Sequence, residues 1–141
     1  MESLDFLYNV ISIANLGAMF LGIVVGLIVG AIPGLGPPMA IALMIPISFE
    51  WPPETALILM VATYAAGIYG GSFTAILIRA PGTSASAASA IEGYEMTKRG
   101  RAIEAIRMST FASVMGGIIS GFVLLWLATP LAKGSLLFGP S

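Results

Sequence analysis

The sequence predicts an all-α integral membrane protein, and three observations support this fold class. Of its 141 residues, 57% are hydrophobic and 9% are charged, and the mean hydropathy is +0.98, whereas soluble domains carry about 25% charged residues. Three apolar stretches reach the length of about 20 residues that a bilayer crossing requires. Two clusters of proline and glycine interrupt the apolar sequence. We therefore expect about three transmembrane helices plus two broken elements, re-entrant or discontinuous, in a single membrane domain over residues 1–141.

The three predicted spans cover roughly residues 11–32, 55–78 and 108–128. Each span carries small residues at every fourth position, a spacing that lets membrane helices approach closely. The predicted ridges are Ala18, Gly22, Gly26 and Gly30 in the first span, Ala62, Ala66, Gly70 and Thr74 in the second, and Ser113, Gly117 and Gly121 in the third. Such ridges fit either ordinary helix packing or a tightly packed transport core.

The first break is "GAIPGLGPPM", residues 30–39, and it leads into an apolar stretch, residues 39–49, of about half the spanning length. An unpaired backbone group in hydrocarbon costs several kcal/mol, so a break at that depth must be buried in protein or line a wet cavity. In transporters, the freed N–H groups of a half-helix attract carboxylates and the freed carbonyls coordinate Na⁺. A simple kink or an exposed turn is the alternative.

The second break, "RAPGTSASAAS" at residues 79–89, repeats an Ala, Pro, Gly sequence and adds hydroxyl groups. We predict that Thr83, Ser84 and Ser86 bind an ion, because hydroxyls can ligate a cation or a carboxylate. Arg79 precedes the break at a helix end, where it either snorkels to the interface or binds substrate. Just upstream, Gly70 and Gly71 would let another segment approach closely.

Four basic residues predict the orientation. Lys98, Arg99, Arg101 and Arg107 cluster in one short loop, which marks the cytoplasmic side. If both broken elements return to the side from which they came, the N-terminus is also cytoplasmic and the loop "SFEWPPET" faces outward. A kinked continuous helix through Pro33 is the alternative, and it would invert this topology.

The composition excludes several function classes. The net charge of -1 argues against nucleic-acid binding, and the chain has no Cys and no His, so thiolate catalysis, the usual proton shuttle and the commonest metal ligands are missing. A nucleophile such as Ser84 or Ser86 would have only a lysine as its base, and Lys98 lies in a very polar loop. We therefore expect no enzyme, no metal site and no organic cofactor.

Three segments in the right order resemble a known family: "GAIPGLGPPMAIALMIPISF", "YAAGIYGGSFTAILIRAPGTSASAASAIEGYEMTKRGRA" and "ATPLAKGSLLFGP". They are similar to the first part of the large permease subunit of the tripartite tricarboxylate transporter family. The resemblance implies a multi-pass secondary transporter of the bacterial inner membrane. It implies partnership with a small membrane subunit and a periplasmic solute-binding protein that delivers a di- or tricarboxylate, with Na⁺ or H⁺ as the coupling ion.

The family's signature segments carry over to two sets of residues in this chain. The resemblance makes Pro33, Gly34, Leu35 and Gly36, and Pro81, Gly82, Thr83 and Ser84, the candidate substrate site. Arg79 stands where the family often has an uncharged residue, and we count it as a candidate substrate ligand as well.

Length separates the chain from the family, whose permease is several times longer. Three spans cannot easily enclose a citrate-sized anion. We therefore expect a fragment of a permease, a split-gene product that assembles with the remainder of the permease, or a shortened relative that forms a homo-oligomer. A homo-oligomeric channel is the main alternative function and would show single-channel currents without a gradient-coupled substrate. A non-transporting assembly subunit is a further alternative, and its loss would abolish the complex without changing binding specificity.

Overall fold

The computed structural model describes residues 11–137, apart from the side chains of residues 129 and 132–137. Within that range the regular secondary structure is helical. Its elements are α1 (Ile13–Gly30), α2 (Gly36–Ser48), α3 (Pro53–Ile78), a 3₁₀ turn (Ser84–Ser86), α4 (Ser89–Lys98) and α5 (Ala102–Leu137). Three helices among these residues are long and apolar enough to cross a membrane, over Ile13–Gly30, Pro53–Ile78 and Ala102–Ala128. The predicted fold class is confirmed, and the three predicted spans correspond to these three helices.

Helix α1 packs against α3, and the two helices run parallel. A Cβ atom placed on Gly22 would lie 2.6 Å from the carbonyl oxygen of Leu59, and one on Gly30 would lie 2.1 Å from that of Gly67. Residue numbers therefore rise together along both helices. All four residues of the predicted α1 ridge are buried, which confirms that small side chains bring this pair together.

The α1 ridge lies between two rows of α3 residues, and one of these rows was predicted from the sequence. The predicted row supplies Ala62, Ala66 and Gly70, and the second row supplies Leu59, Thr63 and Gly67. Near the start of both helices, the Thr55 hydroxyl donates a hydrogen bond of 2.6 Å to the side-chain oxygen of Asn15, and both residues are buried. This polar contact and the glycine ridge together set the register of α1 on α3.

Helix α2 runs back along α3 in the opposite direction. Its first turn packs on Gly67, where an added Cβ would lie 3.1 Å from the Cα of Pro37. Further along α2, Met44 joins Ala18 and Leu59 in a buried apolar cluster. Residue numbers rise along α2 in the direction in which they fall along α3, so α2 is antiparallel to α3 and to α1. Helices α1 and α2 therefore form a hairpin whose turn lies beside the middle of α3.

This arrangement corrects the predicted topology. We expected the N-terminal end of the first span and the loop "SFEWPPET" on opposite sides of the membrane, but the start of α1 and the start of α3 lie at the same end. The prediction was wrong because it treated the short apolar stretch as returning to the side where α1 ends, whereas α2 returns to the side where α1 begins. If the basic loop is cytoplasmic, Ile13 lies on the outer side; residues 1–10 lie outside the described range.

Helix α4 is attached to the C-terminal end of α3. The Thr97 hydroxyl donates a hydrogen bond of 2.8 Å to the carbonyl of Ile76, and a Cβ atom on Gly93 would lie 2.7 Å from the Ile76 side chain. The chain between α3 and α4 therefore leaves the end of α3, turns back along it and returns to the same end.

The chain divides into two compact units, one ending at Ile106 and the other beginning at Arg107. Within the second unit, the predicted ridge residues Ser113, Gly117 and Gly121 lie on α5 and are exposed. The packing of this ridge against a neighbouring helix therefore stays a prediction. Helix α5 begins at Ala102 rather than near Met108, because hydropathy marks only the apolar part of a helix that starts with a charged turn.

Candidate functional site

Both breaks approach α3 at two adjacent glycines. A Cβ atom on Gly70 would lie 2.6 Å from the carbonyl oxygen of Leu27 and 3.1 Å from the backbone nitrogen of Ala31, where the first break begins. A Cβ on Gly71 would lie 3.2 Å from the Cα of Gly82, and the Gly82 N–H donates a 3.4 Å hydrogen bond to the Gly71 carbonyl. The close approach predicted for this glycine pair is confirmed, and it involves both breaks.

The meeting point lies well inside the apolar length of α3. At a rise of about 1.5 Å per residue, Gly71 is about 27 Å from the start of α3 and about 10 Å from its end. The first break arrives with the α1–α2 hairpin, and the second arrives from the opposite end, at Ile78. Since α3 is long and apolar enough to cross a membrane, two re-entrant elements meet at a depth where exposed backbone would be costly.

The two breaks also contact each other. A Cβ atom on Gly82 would lie 2.3 Å from the carbonyl oxygen of Gly30, and one on Gly36 would lie 3.6 Å from the carbonyl oxygen of Gly82. Gly34 and Gly36 adopt φ angles of 93° and 65°, a left-handed region that strongly favours glycine. The first break thus needs glycine for its backbone conformation, and the second needs it for close packing.

A cavity of about 280 Å³ lies between the two breaks and α3, near the lower end of the range for small-molecule sites. Its lining is Gly36, Pro37, Pro38, Tyr64, Ile68, Gly82, Thr83, Ser84 and Ala85. Four of the predicted site residues are in this set: Gly36, Gly82, Thr83 and Ser84. The other predicted residues, Pro33, Gly34, Leu35, Arg79, Pro81 and Ser86, lie outside this lining.

Three lining residues offer backbone N–H groups. Those of Gly36, Ser84 and Ala85 donate no hydrogen bond within the described part of the chain. Pro37 and Pro38 have no N–H, so the N–H of Gly36 is the first backbone donor of α2. Residues that carry such donors, from both breaks, therefore border one cavity.

The hydroxyl groups of the second break differ in their availability. Ser86 is buried, and its Oγ accepts hydrogen bonds from the Thr83 N–H and the Thr83 hydroxyl while donating one of 2.8 Å to the Thr83 carbonyl. Thr83 Oγ1 accepts from the Ser86 N–H at 3.2 Å and keeps one lone pair. The Ser84 hydroxyl is exposed and has no hydrogen-bond partner among the described residues. Direct ion binding by Ser86 would require this capping arrangement to open.

Arg79 ends α3 and lies beside α4. Its φ angle is 57°, and its N–H donates to the carbonyl of Ala75. Its guanidinium carbon lies 5.9 Å from the centroid of the Tyr94 ring. The side chain thus contacts the ring of Tyr94, outside the cavity lining.

The predicted site residues did not include Tyr64 and Ile68 of α3, nor Pro37, Pro38 and Ala85 of the two breaks. Tyr64 and Ile68 are regular positions of an apolar helix, and they line the cavity only because α3 passes beside the two breaks. Tyr64 is the only titratable side chain in the cavity lining. A bound anion would therefore meet neutral donors from the described residues.

Comparison with known proteins agrees with these features. The sequence model of the Tripartite tricarboxylate transporter TctA family matches residues 16–141. The chain is 42% identical over 125 residues to a protein of Agrobacterium vitis named "Uncharacterized 52.8 kDa protein in TAR-I ttuC' 3'region". That match covers 89% of this chain and 25% of the relative, so the chain spans about a quarter of that protein's length. No solved structure matches the chain. The family match and three apolar helices identify the chain as a multi-pass membrane protein that belongs to the tripartite tricarboxylate transporter TctA family.

Proposed function

We propose that this chain is part of a permease that takes up di- and tricarboxylates by secondary transport coupled to Na⁺ or H⁺. The proposed partners are a small membrane subunit and a periplasmic solute-binding protein, and the proposed location is a bacterial inner membrane. The rest of a longer permease, or further copies of the chain, would complete the protein. The observation that carries the proposal is the convergence of two re-entrant elements on one cavity from opposite ends of α3.

The substrate carboxylates would occupy this cavity. The N–H groups of Gly36, Ser84 and Ala85 have no partner within the described residues, and a carboxylate can accept hydrogen bonds from such donors. In the same proposal, Pro33, Gly34, Leu35 and Pro81 shape the two turns that present these groups. Binding through backbone donors suits a ligand with several equivalent carboxylates, because no single side chain fixes its orientation.

The neutral lining supports ion coupling. A carboxylate that enters a membrane site without a nearby Lys or Arg retains an uncompensated charge, which is expensive at depth. A cation bound beside it would remove that cost, so substrate and cation would bind best together. Ser84 and Thr83 are the proposed hydroxyl ligands, and Ser86 positions Thr83 through their mutual hydrogen bonds.

Uptake by the complete transporter, reconstituted in vesicles with all its partners, tests this proposal. In Gly82→Ala the new methyl group would meet the carbonyl of Gly30 and the Cα of Gly71, so we expect uptake to fall at least tenfold while insertion is retained. Ser84→Ala removes a hydroxyl without breaking an internal hydrogen bond. We expect it to raise the cation concentration needed for half-maximal uptake about threefold to tenfold, without changing expression.

Gly17→Ala is the matched control, because an added Cβ there would meet no atom within 4 Å; it should transport normally. Normal uptake by Gly82→Ala would refute the proposed site. Ion currents that persist in the absence of substrate and of the partner subunits would instead favour the alternative function, a homo-oligomeric channel.

A further inference from the structure

A cluster of cations surrounds Tyr94 at the C-terminal end of α3. The guanidinium carbon of Arg79 and the Nζ of Lys98 lie 5.9 Å and 5.5 Å from the Tyr94 ring centroid, and Arg99 follows Lys98 directly. Glu95 forms an ion pair with Lys98, whereas Arg79 and Arg99 have no ion-pair partner among the described residues. The cluster therefore carries excess positive charge.

The effect of these cations is visible on Glu95. A hydrogen bond from Lys98, followed by the charges of Lys98, Arg99 and Arg79, lowers the pKa of the Glu95 carboxyl. The exposed Glu95 carboxylate thus lies within electrostatic range of three basic side chains. An additional anion would be attracted to the same place.

The backbone of Arg79 is unfavourable for an arginine. Among the described residues, it is the one non-glycine position with positive φ, at 57°. The left-handed conformation costs an ordinary residue about 1–2 kcal/mol, and glycine is the usual residue at such a helix end. An arginine here indicates that its side chain has a role that compensates for this cost.

The cluster lies at the boundary of the apolar segment. The apolar sequence of α3 ends at Ile78, immediately before Arg79. The hydrogen bond from Thr97 to the carbonyl of Ile76 holds α4 at this level. Tyrosine and basic side chains at such a depth face the lipid headgroups.

We propose that Arg79, Tyr94 and Lys98 bind the phosphate group of an anionic phospholipid. The guanidinium group can donate two hydrogen bonds to phosphate oxygens, Lys98 adds a second cation, and the Tyr94 ring holds both cations at the interface. The site is outside the cavity lining, so the lipid would anchor the end of α3 and the return of the second break rather than compete with substrate.

Native mass spectrometry of the purified chain, with phosphatidylglycerol titrated into zwitterionic micelles, tests the proposal. A basic residue at an anionic membrane surface contributes about 1 kcal/mol, so Arg79→Gln should weaken phosphatidylglycerol binding about fivefold and Arg79→Gln combined with Lys98→Gln about 25-fold. The control Arg107→Gln removes the same charge from an exposed position and should change binding less than about twofold. Phosphatidylcholine should bind equally well to the parent chain and to every variant.

Arg79→Gly separates binding from folding. Glycine is favoured at this φ angle, so the variant should be at least as stable as the parent chain and yet bind phosphatidylglycerol about as poorly as Arg79→Gln. Arg79→Lys should recover part of the affinity. Equal losses in Arg79→Gln and Arg107→Gln, undiminished binding by Arg79→Gly, or displacement of the lipid by millimolar inorganic phosphate would each overturn the lipid site.

Discussion

Replacement of Gly26 by alanine should weaken the parallel pair of α1 and α3, whereas the same replacement at Gly17 should not. A Cβ atom on Gly26 would lie 2.4 Å from the carbonyl oxygen of Thr63 and 2.9 Å from the Cβ of Ala66. The first of these atoms belongs to the backbone of a packed helix, so the clash can be relieved only if the helices move apart. Gly17 lies on the same helix, is exposed, and would meet no atom within 4 Å.

The difference between the two variants isolates the cost of the contact. A glycine to alanine change inside a helix gains up to about 1 kcal/mol of helix propensity, and this gain applies to Gly17 and Gly26 alike. Overpacking a tight contact costs about 1–3 kcal/mol. We therefore expect Gly26→Ala to be less stable than Gly17→Ala by about 1–3 kcal/mol, a fivefold to 150-fold change in the ratio of folded to unfolded protein.

Unfolding with sodium dodecyl sulfate in mixed micelles, followed by circular dichroism, measures this difference. Gly17→Ala should unfold at the same surfactant fraction as the parent chain or a higher one, and Gly26→Ala at a clearly lower fraction. If both variants unfolded at the same midpoint, the close approach of α1 and α3 would not contribute to stability, and the derived register would be wrong.

Two further predictions follow from the same helix pair. Because α1 and α3 are parallel, the variants Ile13→Cys and Pro53→Cys should react with a membrane-impermeant maleimide from the same side of the membrane. Arg99→Cys should react from the other side. Labelling of Ile13→Cys from the Arg99 side would contradict the hairpin. Thr55→Val keeps the side-chain shape but removes the hydrogen bond to Asn15. It should therefore lower the free energy of unfolding, measured in the same surfactant titration, by about 0.6–1.7 kcal/mol. An unchanged free energy of unfolding would mean that the contact is energetically neutral.

The apolar pattern predicted the helices better than their directions. Hydropathy and the spacing of small residues identified three spans and the ridge of Gly22, Gly26 and Gly30, because both features act within one helix. The path of residues 36–48 depends on a contact between helices, the packing of Pro37 on Gly67. A segment of about 20 Å is too short to be recognised as crossing, so its antiparallel course along α3 could not be read from hydropathy.

The candidate site was predictable to a similar extent. Proline, glycine and hydroxyl residues at two breaks in apolar sequence indicated where backbone groups would be unpaired, and Gly36, Gly82, Thr83 and Ser84 do line one cavity. Tyr64 gave no signal, since an apolar helix carries aromatic residues on any face. The engagement of Ser86 with Thr83 was also hidden, because a run of serines does not reveal which hydroxyl caps a turn.

The two breaks satisfy their backbone groups unequally, and this inequality connects stability with function. Pro37 and Pro38 remove two donors that a helix start would otherwise expose, and Thr83 and Ser86 bind each other's N–H groups. An unpaired donor at a buried position costs about 1–3 kcal/mol. This cost is avoided where the donor is absent or paired. The donors of Gly36, Ser84 and Ala85 remain, and all three residues border the cavity. These residues come from both breaks, so in the proposed function a carboxylate that enters the cavity would accept hydrogen bonds from backbone groups of both.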